Sequence, residues 1–412
     1  MTAATAEPAA RPPGAARARA LRVVVVHEHY LHPGGEDRVF EAEVALLRGR
    51  GHRVSTFTAH NRDVGRIGAA AAGLRALWNA GAGRELERLL RRERPHVVHA
   101  HNTFPLLSAA VYHAARRAGA AVVQTLHNFR FICPNALLFS GGGPCEACVG
   151  RAVPWPGIAR GCYHDSRAAT CAVAASSAIH RRAGEHSVDV YLALSAFARR
   201  RFVAGGLPAG RVVVRPNFLG DDPGAGAHQG GFALYAGRLS AEKGVGTMVD
   251  GWARLGGAVP LVVAGEGPLE ALARRKTPGV AWAGAIDRAG VLRLMGDARL
   301  LVFPSECPEN FPLALVEAFA TGLPVVAADG GAAAALVRRH GAGWVYPRGD
   351  AAALAAAVRA ALDDPRSLAA MGAHARAAFQ AHYTAECGYR SLVGAYQRAL
   401  RHAGLPVPAE AP

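Results

Sequence analysis

Residues 300–329, LLVFPSECPENFPLALVEAFATGLPVVAAD, decide the fold. LLVFPS is typical of a buried strand that runs into a loop, PLALVEAFA is typical of a helix, and PVVAAD is typical of the next strand. Units of strand, helix and strand form a parallel sheet that helices cover on both faces. Pro312 suits the first turn of the helix, and Asn310 is expected close to its cap.

The same alternation runs through most of the chain. In the first half, strands are predicted at LRVVVVHEHY, RVSTFTA, PHVVHAHN, AVVQTLHNF, DVYLALS and RVVVRPN, with helical segments between most of them. A second series begins at FALYAGRL and continues through PLVVAGEG and VAWAG to GWVYP. We therefore predict an α/β protein with two Rossmann-like, doubly wound domains that face each other across a cleft.

Composition sets the boundaries of these domains. The stretch FLGDDPGAGAHQGG between the two series is rich in Gly, Asp and Pro and has no periodicity, which is typical of a linker. The predicted division is a disordered tail at 1–20, an N-terminal domain at 21–217 with a Cys-rich insertion at 131–167, a linker at 218–230, a C-terminal domain at 231–385, and a C-terminal helix and tail at 386–412.

The net charge of +16 comes almost entirely from arginine, because only two of the 47 basic residues are lysine. The chain has no basic and aromatic strip typical of nucleic-acid binding, so no nucleic-acid partner is expected. It has no apolar run near the roughly 18 residues that span a bilayer, and its start lacks the apolar core of a secretory signal. We expect a cytoplasmic enzyme. Peripheral contact with the inner face of the membrane, through Trp155 and nearby arginine-rich helices, is the alternative to solvated basic helix faces.

A candidate anion site lies in YAGRLSAEKGVG. Arg238 ends a predicted strand, and Lys243 precedes a helix that starts next to glycine. Two cations beside a helix N-terminus suit a diphosphate. Gly265 and Glu266 follow the next strand, where glycine lets a ligand approach the backbone.

Two carboxylates mark residues 300–329. Glu309 is expected beside the helix N-terminus at the cleft, and Glu317 about a turn and a half along the helix. Carboxylates in a cleft accept hydrogen bonds from sugar hydroxyls, and two of them can hold two separate rings. Capping by Glu309 and a surface position for Glu317 are the plainer explanations of each residue alone.

With these motifs in view, the chain from about residue 21 to 400 resembles the retaining GT-B glycosyltransferases of family 4, which use nucleotide-sugar donors. The most specific part is PSECPENFPLALVEAFATGLPVVAADGG, which is similar to the Glu-x7-Glu region of that family. The resemblance implies that Glu309 contacts the hydroxyls of the donor hexose and Glu317 contacts the ribose. It also implies that Arg238 and Lys243 hold the diphosphate, with the amides of Asn310 and Phe311 near the sugar and phosphate.

In the N-terminal half, HPGGEDRVF resembles the glycine-rich loop of the family, which implies that Gly34 and Gly35 lie beside the donor phosphate and the acceptor. QTLHNFR resembles the segment whose histidine lines the reaction centre, which implies that role for His127. The family often has His-Asp there, whereas this chain has Asn128 after the histidine. VVHAHNTFP is similar to polysaccharide-synthesis members and adds weaker candidates for cleft contacts, which are His99, His101 and Asn102.

The reaction implied by this resemblance is transfer of a sugar to a glycan or lipid-linked acceptor. Cleavage of the anomeric C–O bond builds oxocarbenium character on the sugar and negative charge on the leaving diphosphate. Arg238, Lys243 and a helix dipole would stabilise that charge without a metal ion, so no cofactor is expected for catalysis. Retention is explained in such enzymes by attack on the front face, which requires no side-chain nucleophile.

Four of the seven cysteines cluster in the insertion, at Cys133, Cys145, Cys148 and Cys162. One C-x-x-C pair with two further thiols at loop distances fits a structural zinc site. Unligated thiols or a redox pair, and an iron–sulfur cluster, are the alternatives.

Three other functions fit parts of the sequence. A nucleotide-sugar epimerase shares the two-domain architecture. A nicotinamide-dependent dehydrogenase requires G-x-G-x-x-G after the first strand, which HEHYLHPGGEDR does not supply. A non-catalytic sugar-binding protein would have no need to retain Arg238, Lys243, Glu309 and Glu317 together.

Overall fold

A computed structural model describes residues 20–31, 34–277 and 279–408 of the chain. The predicted tail at 1–20 lies outside the described residues except for Ala20, as do the last four residues of the chain. The described residues form two six-stranded sheets in which every pair of neighbouring strands is parallel. The predicted α/β class with two parallel-sheet domains is confirmed.

The first sheet has the strand order β2-β1-β3-β4-β7-β8. Its strands are β1 (Arg22–His29), β2 (Arg53–His60), β3 (Val97–Ala100), β4 (Ala121–Leu126), β7 (Val190–Ala193) and β8 (Val212–Val214), and a short antiparallel hairpin joins β5 (Phe139–Ser140) to β6 (Gly143–Pro144). The helices of this half are α1 (Gly35–Gly49), α2 (Arg62–Ile67), α3 (Ala69–Leu77), α4 (Ala80–Glu93), α5 (Ala110–Arg117), α6 (Trp155–Arg160), α7 (Arg167–Ser187) and α8 (Ala196–Ala204), with a 3₁₀ turn at Phe129–Phe131.

The second sheet has the order β11-β10-β9-β12-β13-β14. Its strands are β9 (Ala233–Ala236), β10 (Leu261–Ala264), β11 (Ala281–Gly284), β12 (Leu300–Phe303), β13 (Val325–Ala328) and β14 (Gly343–Tyr346). The helices are α9 (Val245–Leu255), α10 (Glu270–Lys276), α11 (Arg288–Asp297), α12 (Leu313–Thr321), α13 (Gly331–His340), α14 (Ala351–Asp363), α15 (Pro365–His382) and α16 (Ala385–His402), with a 3₁₀ turn at Ala241–Lys243.

Runs of branched aliphatic residues form the central strands because helices cover both faces of each sheet. In β1, Val24 and Val26 belong to one apolar cluster, and Val23 and Val25 belong to the cluster on the opposite face. Alternate residues of a strand point to opposite faces, so a continuous run of valine is needed where both faces are buried.

The last helix packs on the first sheet, although it follows the second sheet in the chain. Leu392 and Tyr396 of α16 belong to the same buried cluster as Val23 and Val25. The chain therefore passes between the domains twice, first between β8 and β9 and again at the start of α16. Among the described residues, no helix combines the length and apolarity that a membrane crossing requires.

Each sheet has one point at which the loops leaving the carboxyl ends of neighbouring strands diverge. In the second sheet, β9 pairs with both β10 and β12, and in the first sheet β1 pairs with both β2 and β3. Open parallel sheets bind ligands in the crevice at such a point. The loops after β9 and β12 carry the predicted anion-binding and sugar-binding residues, so the strand order brings these residues together.

Candidate active site

A cleft of about 660 Å³ lies between the two domains. The N-terminal domain contributes the start of α1 and the loops after β4 and β7, and the C-terminal domain contributes the loops after β9, β10 and β12 and the start of α12. Most of the predicted site residues line this cleft, namely Gly35, His127, Arg238, Lys243, Gly265, Glu309, Phe311 and Glu317.

Lys243 and Glu309 make a direct ion pair in the cleft. The Nζ atom of Lys243 lies 2.6 Å from Oε1 of Glu309, and the hydroxyl of Ser305 donates to the same carboxylate oxygen at 2.8 Å. Burial alone would lower the pKa of Lys243, but the charge of Glu309 and its hydrogen bond, together with the nearby Cys307 and Glu242, outweigh burial and raise that pKa. The ammonium group is therefore charged at all physiological pH values, and Glu309 holds it in one position.

Glycine at position 244 lets the loops after β9 and β12 pack against each other. Gly244 has a φ of +70°, and an added Cβ would lie 1.9 Å from the carbonyl oxygen of Pro304. A side chain at this position would push the two loops apart and separate Lys243 from Glu309.

Arg238 lies at the carboxyl end of β9 and is exposed to the cleft. Within the described ranges, its guanidinium has no hydrogen-bond or ion-pair partner, and the hydroxyl of Tyr235 donates to its backbone carbonyl at 2.7 Å. In the loop after β10, Gly265 has a φ of +143°, and an added Cβ would lie 1.9 Å from the carbonyl oxygen of Gly237, the residue before Arg238. Arg238 thus offers an uncompensated positive charge beside Lys243. Glu266 is exposed next to Gly265, and its carboxylate accepts from the amide of Ala285 at 3.3 Å.

Helix α12 begins at Leu313, with Pro312 as the residue immediately before it. Asn310 was expected near this cap, but its side chain crosses to the other domain and donates to the carbonyl of Leu126 at 2.6 Å. The hydroxyl of Ser195 donates to the carbonyl of Asn310 at 2.8 Å. Asn310 is buried where the domains meet, and its side-chain amide and backbone carbonyl bond across the interface rather than to the helix.

Glu317 lies on α12 and is buried, with its carboxylate Oε1 3.1 Å from Nε of Arg288 and 3.7 Å from Nη1 of Arg38. Arg288 belongs to α11, and Arg38 reaches across from α1 of the N-terminal domain. A surface position for Glu317 is wrong, because two cations compensate its charge at the edge of the cleft. Neither arginine was predicted.

His127 follows β4 and faces the cleft from the N-terminal domain. Its Nε2 atom lies 2.9 Å from Nδ1 of His101, and burial together with the neighbouring His101 lowers its pKa well below the ordinary value. His127 is therefore neutral at pH 7, and its imidazole acts there as a hydrogen-bonding group rather than as a cation.

A buried polar layer lies beneath His127. Glu43 and Arg215 form an ion pair within the described interior, and His101 Nε2 lies 3.4 Å from Glu43 Oε2. Burial alone would raise the pKa of Glu43, but the charge of Arg215, together with the neighbouring His101 and His99, outweighs burial and keeps that pKa below its usual range. The expectation that His99 contacts the cleft is wrong, because His99 is fully buried and bonds to Tyr396 and Thr125.

His101 and Asn102 line a smaller cavity beside His127, together with Phe104, Arg130, Phe131 and His180. Asn102 also fixes the chain after β3, since its amide donates to the carbonyl of Glu28 at 2.9 Å.

Glu36 was not predicted, yet it lines the cleft next to His127. Its carboxylate accepts from the Asn128 amide at 2.8 Å and from the Tyr30 hydroxyl at 3.0 Å, and burial raises its pKa above the ordinary 4.5. Asn128, which stands where the family often has a carboxylate, therefore holds a carboxylate that comes from α1. The feature of the sequence that could have identified Glu36 as a cleft residue is its position directly after the glycine pair Gly34 and Gly35.

The glycine pair begins α1. Gly35 is its first residue and lines the cleft, and an added Cβ would lie 3.5 Å from Leu313 of the opposite domain. Gly34 precedes it, and its amide donates to the Asp37 carboxylate at 2.8 Å. The free amides at the start of α1 lie at the edge of the cleft.

Two groups of histidines and carboxylates have a spacing that could hold a metal ion, which are His27, His29 and Asp37, and Glu43, His99 and His101. In both groups the carboxylate already has partners within the protein. Asp37 Oδ1 accepts from the Tyr30 amide as well as contacting both imidazoles, and Arg215 already places a positive charge on Glu43.

Two family models match the chain in succession. The glycosyl transferase 4-like domain matches residues 34–217, and the glycosyl transferases group 1 domain matches residues 225–378.

Curated relatives match parts of the chain. It is 26% identical over 231 residues to the amylovoran biosynthesis glycosyltransferase AmsK of Erwinia amylovora, a match that covers 51% of this chain and 56% of that protein. It is 38% identical over 157 residues to a glycogen synthase of Mycobacterium tuberculosis, which covers 36% of this chain and 37% of that protein. The chain thus spans about half the length of these relatives, or less.

Among solved structures, the chain is similar to the HepE protein of Anabaena in complex with UDP. The TM-score is 0.65 at 17% identity, and the match covers 91% of this chain and 99% of that one. This likeness confirms the predicted GT-B fold of two parallel-sheet domains.

Proposed function

Because its two halves belong to the glycosyl transferase 4-like and group 1 families, we propose that this GT-B protein is a retaining glycosyltransferase. It moves a sugar, of hexose type, from a nucleoside diphosphate sugar to a glycan or lipid-linked acceptor. The group 1 and 4-like matches support transfer of a sugar, and the residues of the cleft support the choice of donor class.

One observation carries the proposal, which is the pairing of Lys243 with Glu309 beside the free cation of Arg238. Arg238 is unpaired within the described ranges, so its positive charge is free to meet an anion, and Lys243 is held beside the same cleft by Glu309. A diphosphate that leaves the anomeric carbon needs this charge in the transition state. Lys243 has three N–H donors, of which Glu309 uses one, so the ammonium can bind a phosphate oxygen without releasing Glu309.

Glu309 serves the donor sugar in this proposal. Its Oε1 atom accepts from Lys243 and Ser305 and is thereby fixed in place. A carboxylate has about four lone-pair sites, so it can accept further bonds from sugar hydroxyls. Glu317 lies further along the cleft wall and accepts bonds from the ribose, while Arg288 and Arg38 lie against its carboxylate and balance its charge. The backbone amides of Asn310 and Phe311, and the glycine pair at 34–35, border the phosphate and the sugar.

The acceptor enters from the N-terminal side, beside His127 and Glu36. The acceptor oxygen bonds to the anomeric carbon on the face from which the diphosphate departs, and the acceptor proton passes to a phosphate oxygen of the leaving group. The bond between the anomeric carbon and that diphosphate breaks, and the products are the glycoside and the nucleoside diphosphate. Glu36, with its raised pKa, accepts a hydrogen bond from the acceptor hydroxyl and aligns it, and neutral His127 bonds to a donor or acceptor hydroxyl.

A role in cell-surface polysaccharide synthesis at the inner face of the membrane completes the proposal. AmsK is named for the biosynthesis of the polysaccharide amylovoran. On the N-terminal domain, Val153 and Trp155 are both more than half exposed, and the guanidinium of Arg151 lies 5.5 Å from the Trp155 ring. Apolar side chains next to arginine suit an anionic lipid surface, where a lipid-linked acceptor would lie.

Donor screening tests the function directly. Thermal stability is measured with a panel of nucleotide sugars that begins with UDP-glucose, since HepE has been solved with that donor. The best donor is then mixed with glycan and polyprenyl phosphate-linked acceptors, and the anomeric configuration of the product is read by NMR. We expect nucleoside diphosphate release that requires an acceptor, and a product with the donor's configuration.

Three outcomes would overturn parts of the proposal. Conversion of the donor sugar to its epimer without an acceptor would indicate an epimerase. Donor binding without turnover in the presence of any acceptor class would indicate a sugar-binding protein. An inverted product would leave transfer intact and remove retention.

A further inference from the structure

Four cysteines that are distant in sequence line one small cavity in the insertion at 131–167. We call this set, Cys133, Cys145, Cys148 and Cys162, the cysteine cluster. Cys133 follows the 3₁₀ turn after β4, Cys145 and Cys148 follow the β5–β6 hairpin, and Cys162 follows α6. Three separate turns of the chain therefore bring these four cysteines to the wall of one cavity.

The cavity is built around the sulfur atoms. Gly157 of α6 faces them, and an added Cβ would lie 3.1 Å from Sγ of Cys148. The Sγ atom of Cys133 lies 3.0 Å from the side-chain oxygen of Asn135, and Ser140 Oγ lies 3.7 Å from Sγ of Cys162. Each of the four sulfurs has its own polar neighbour, and all four cysteines line the same small cavity.

Arg160 adds a positive charge at the same cavity. Its Nη1 atom lies 3.3 Å from Sγ of Cys145. Four thiolates around a divalent cation carry a net charge of −2, and hydrogen bonds from a second layer of residues stabilise such centres. A guanidinium beside Cys145 would balance part of that negative charge.

The insertion has little regular structure of its own to hold this arrangement. Between the 3₁₀ turn and α7 it contains only two strands of two residues each and the six-residue helix α6. Loop-rich segments without a sizeable core are commonly ordered by a bound metal, because metal binding then supplies folding free energy.

We propose that the cysteine cluster binds one Zn²⁺ through its four sulfurs as a structural centre. Tetrahedral coordination by Cys thiolates at about 2.3 Å is the ordinary arrangement of structural zinc sites. Each thiol loses its proton on binding, and those four protons go to solvent. A redox pair would need only the two thiols of the C-x-x-C segment, whereas the fold brings all four to one cavity.

The centre lies next to the acceptor side of the cleft. The amide of Cys133 donates to the carbonyl of Phe129 at 2.8 Å, and Phe129 is two residues after His127. Near Cys162, the guanidinium of Arg130 stacks on Phe104 and lies 5.7 Å from the ring of Tyr163, the residue after Cys162. Zinc bound to Cys133 and Cys162 would therefore fix Phe129 and Arg130, which follow His127 closely in the chain.

Metal analysis of the full chain tests this inference without any assay of sugar transfer. Protein purified without chelator, and the same protein refolded with Zn²⁺, is analysed by inductively coupled plasma and native mass spectrometry. We expect one zinc per chain, and a lower melting temperature after the metal is removed. X-ray absorption at the zinc edge should give four sulfur ligands.

Variants separate the cluster from the other cysteines. The double variant Cys145→Ser/Cys148→Ser should lose the zinc, whereas Cys171→Ser and Cys387→Ser, which change cysteines outside the cavity, should keep it. If the double variant does not fold, Co²⁺ replacement in the wild-type chain keeps the test open, because tetrahedral thiolate coordination gives a distinctive absorption spectrum.

Several results would overturn the proposal. Zinc that stays substoichiometric after refolding with Zn²⁺ would do so, as would full zinc content in the double variant. Iron with inorganic sulfide, or a Cys145–Cys148 disulfide found by mass spectrometry in metal-free protein, would assign the cluster to the rival chemistry instead.

Discussion

Replacing Lys243 with alanine removes the one ammonium group that contacts Glu309 in the cleft. The side chain is 32% exposed and lies 2.6 Å from the carboxylate, so its charge acts in an environment between bulk water and the interior. At an effective dielectric constant of about 20, two unit charges about 4 Å apart interact by about 4 kcal/mol. A single preorganised donor to a developing negative charge is worth about 3–4 kcal/mol, so Lys243→Ala should lower kcat by about 10²–10³-fold.

The fold should survive this change. Glu309 keeps the hydrogen bond from Ser305 at 2.8 Å and about a seventh of its side chain remains open to water, so its carboxylate is not left buried and unpaired. We expect a loss of about 1 kcal/mol or less in the free energy of unfolding, as for other partly exposed pairs. Circular dichroism and thermal melts check this expectation.

The assay is acceptor-dependent release of nucleoside diphosphate, with the donor identified by screening, combined with calorimetric binding of UDP and GDP. The matched control is Lys276→Ala, which removes the only other lysine, an exposed residue 3.3 Å from Asp250. That control should retain wild-type kcat. Lys243→Arg keeps the positive charge but places it on a planar guanidinium, so it should recover part of the activity.

The reasoning would be refuted if Lys243→Ala kept kcat/KM within a few-fold of the wild type while remaining folded. Glu309→Gln gives an independent check, because it leaves the ammonium in place. It should lower turnover while retaining affinity for the nucleoside diphosphate. An equal loss of diphosphate affinity in Glu309→Gln and Lys243→Ala would mean that the two side chains do not have separate roles.

Three further changes test other parts of the structure. Glu36→Gln should lower kcat by about 10–100-fold, because it removes one hydrogen bond between a charged group and the acceptor. Burial raises the pKa of Glu36 and its ionised form is the active one, so the wild-type rate should fall towards acid pH. A pH profile of kcat/KM should show that Glu36→Gln lacks this fall. Gly244→Ala, at a φ of +70°, should lower the free energy of unfolding by about 1–3 kcal/mol and weaken donor binding. The control Gly246→Ala, inside α9, should instead raise the free energy of unfolding by about 0.5–1 kcal/mol, as measured by urea denaturation. Arg215→Met should lower the free energy of unfolding by about 3–5 kcal/mol, because it leaves the Glu43 carboxylate buried without its partner.

Each of these has a distinct contrary result. If kcat/KM still falls towards acid pH in Glu36→Gln, another group must produce that fall. Equal effects of the two glycine changes would mean that the contact with the loop after β12 is unimportant. A second variant, Glu43→Leu with Arg215→Met, should recover most of the lost stability, and failure to do so would show that the ion pair is not the cause.

The fold could be predicted because its signals are local. Runs such as VVVV in β1 identify strands buried on both faces, and the alternation with helices then requires parallel sheets. The contact between Lys243 and Glu309 could not be predicted in the same way. Both residues were assigned to one cleft, but their 2.6 Å bond depends on how two loops from adjacent strands pack around Gly244.

Glu36 and Asn310 show two other limits of predicting the site from the sequence. An acid in the first turn of a helix usually interacts with the helix dipole, so Glu36 carried no sign of its contact with Asn128. Asn310 lay where a cap was expected, and only the approach of the other domain shows that its side chain bonds to Leu126 instead. In both cases, the partner comes from an element that is distant in sequence.

The return of α16 to the first sheet limits how this protein can be divided into fragments. A fragment cut between the two sheets would lack the wall formed by Leu392 and Tyr396, and the valines of β1 on that side would face water. Chimaeras that exchange the C-terminal half with that of a glycosyltransferase therefore need two junctions, so that the final helix is inherited with the N-terminal half.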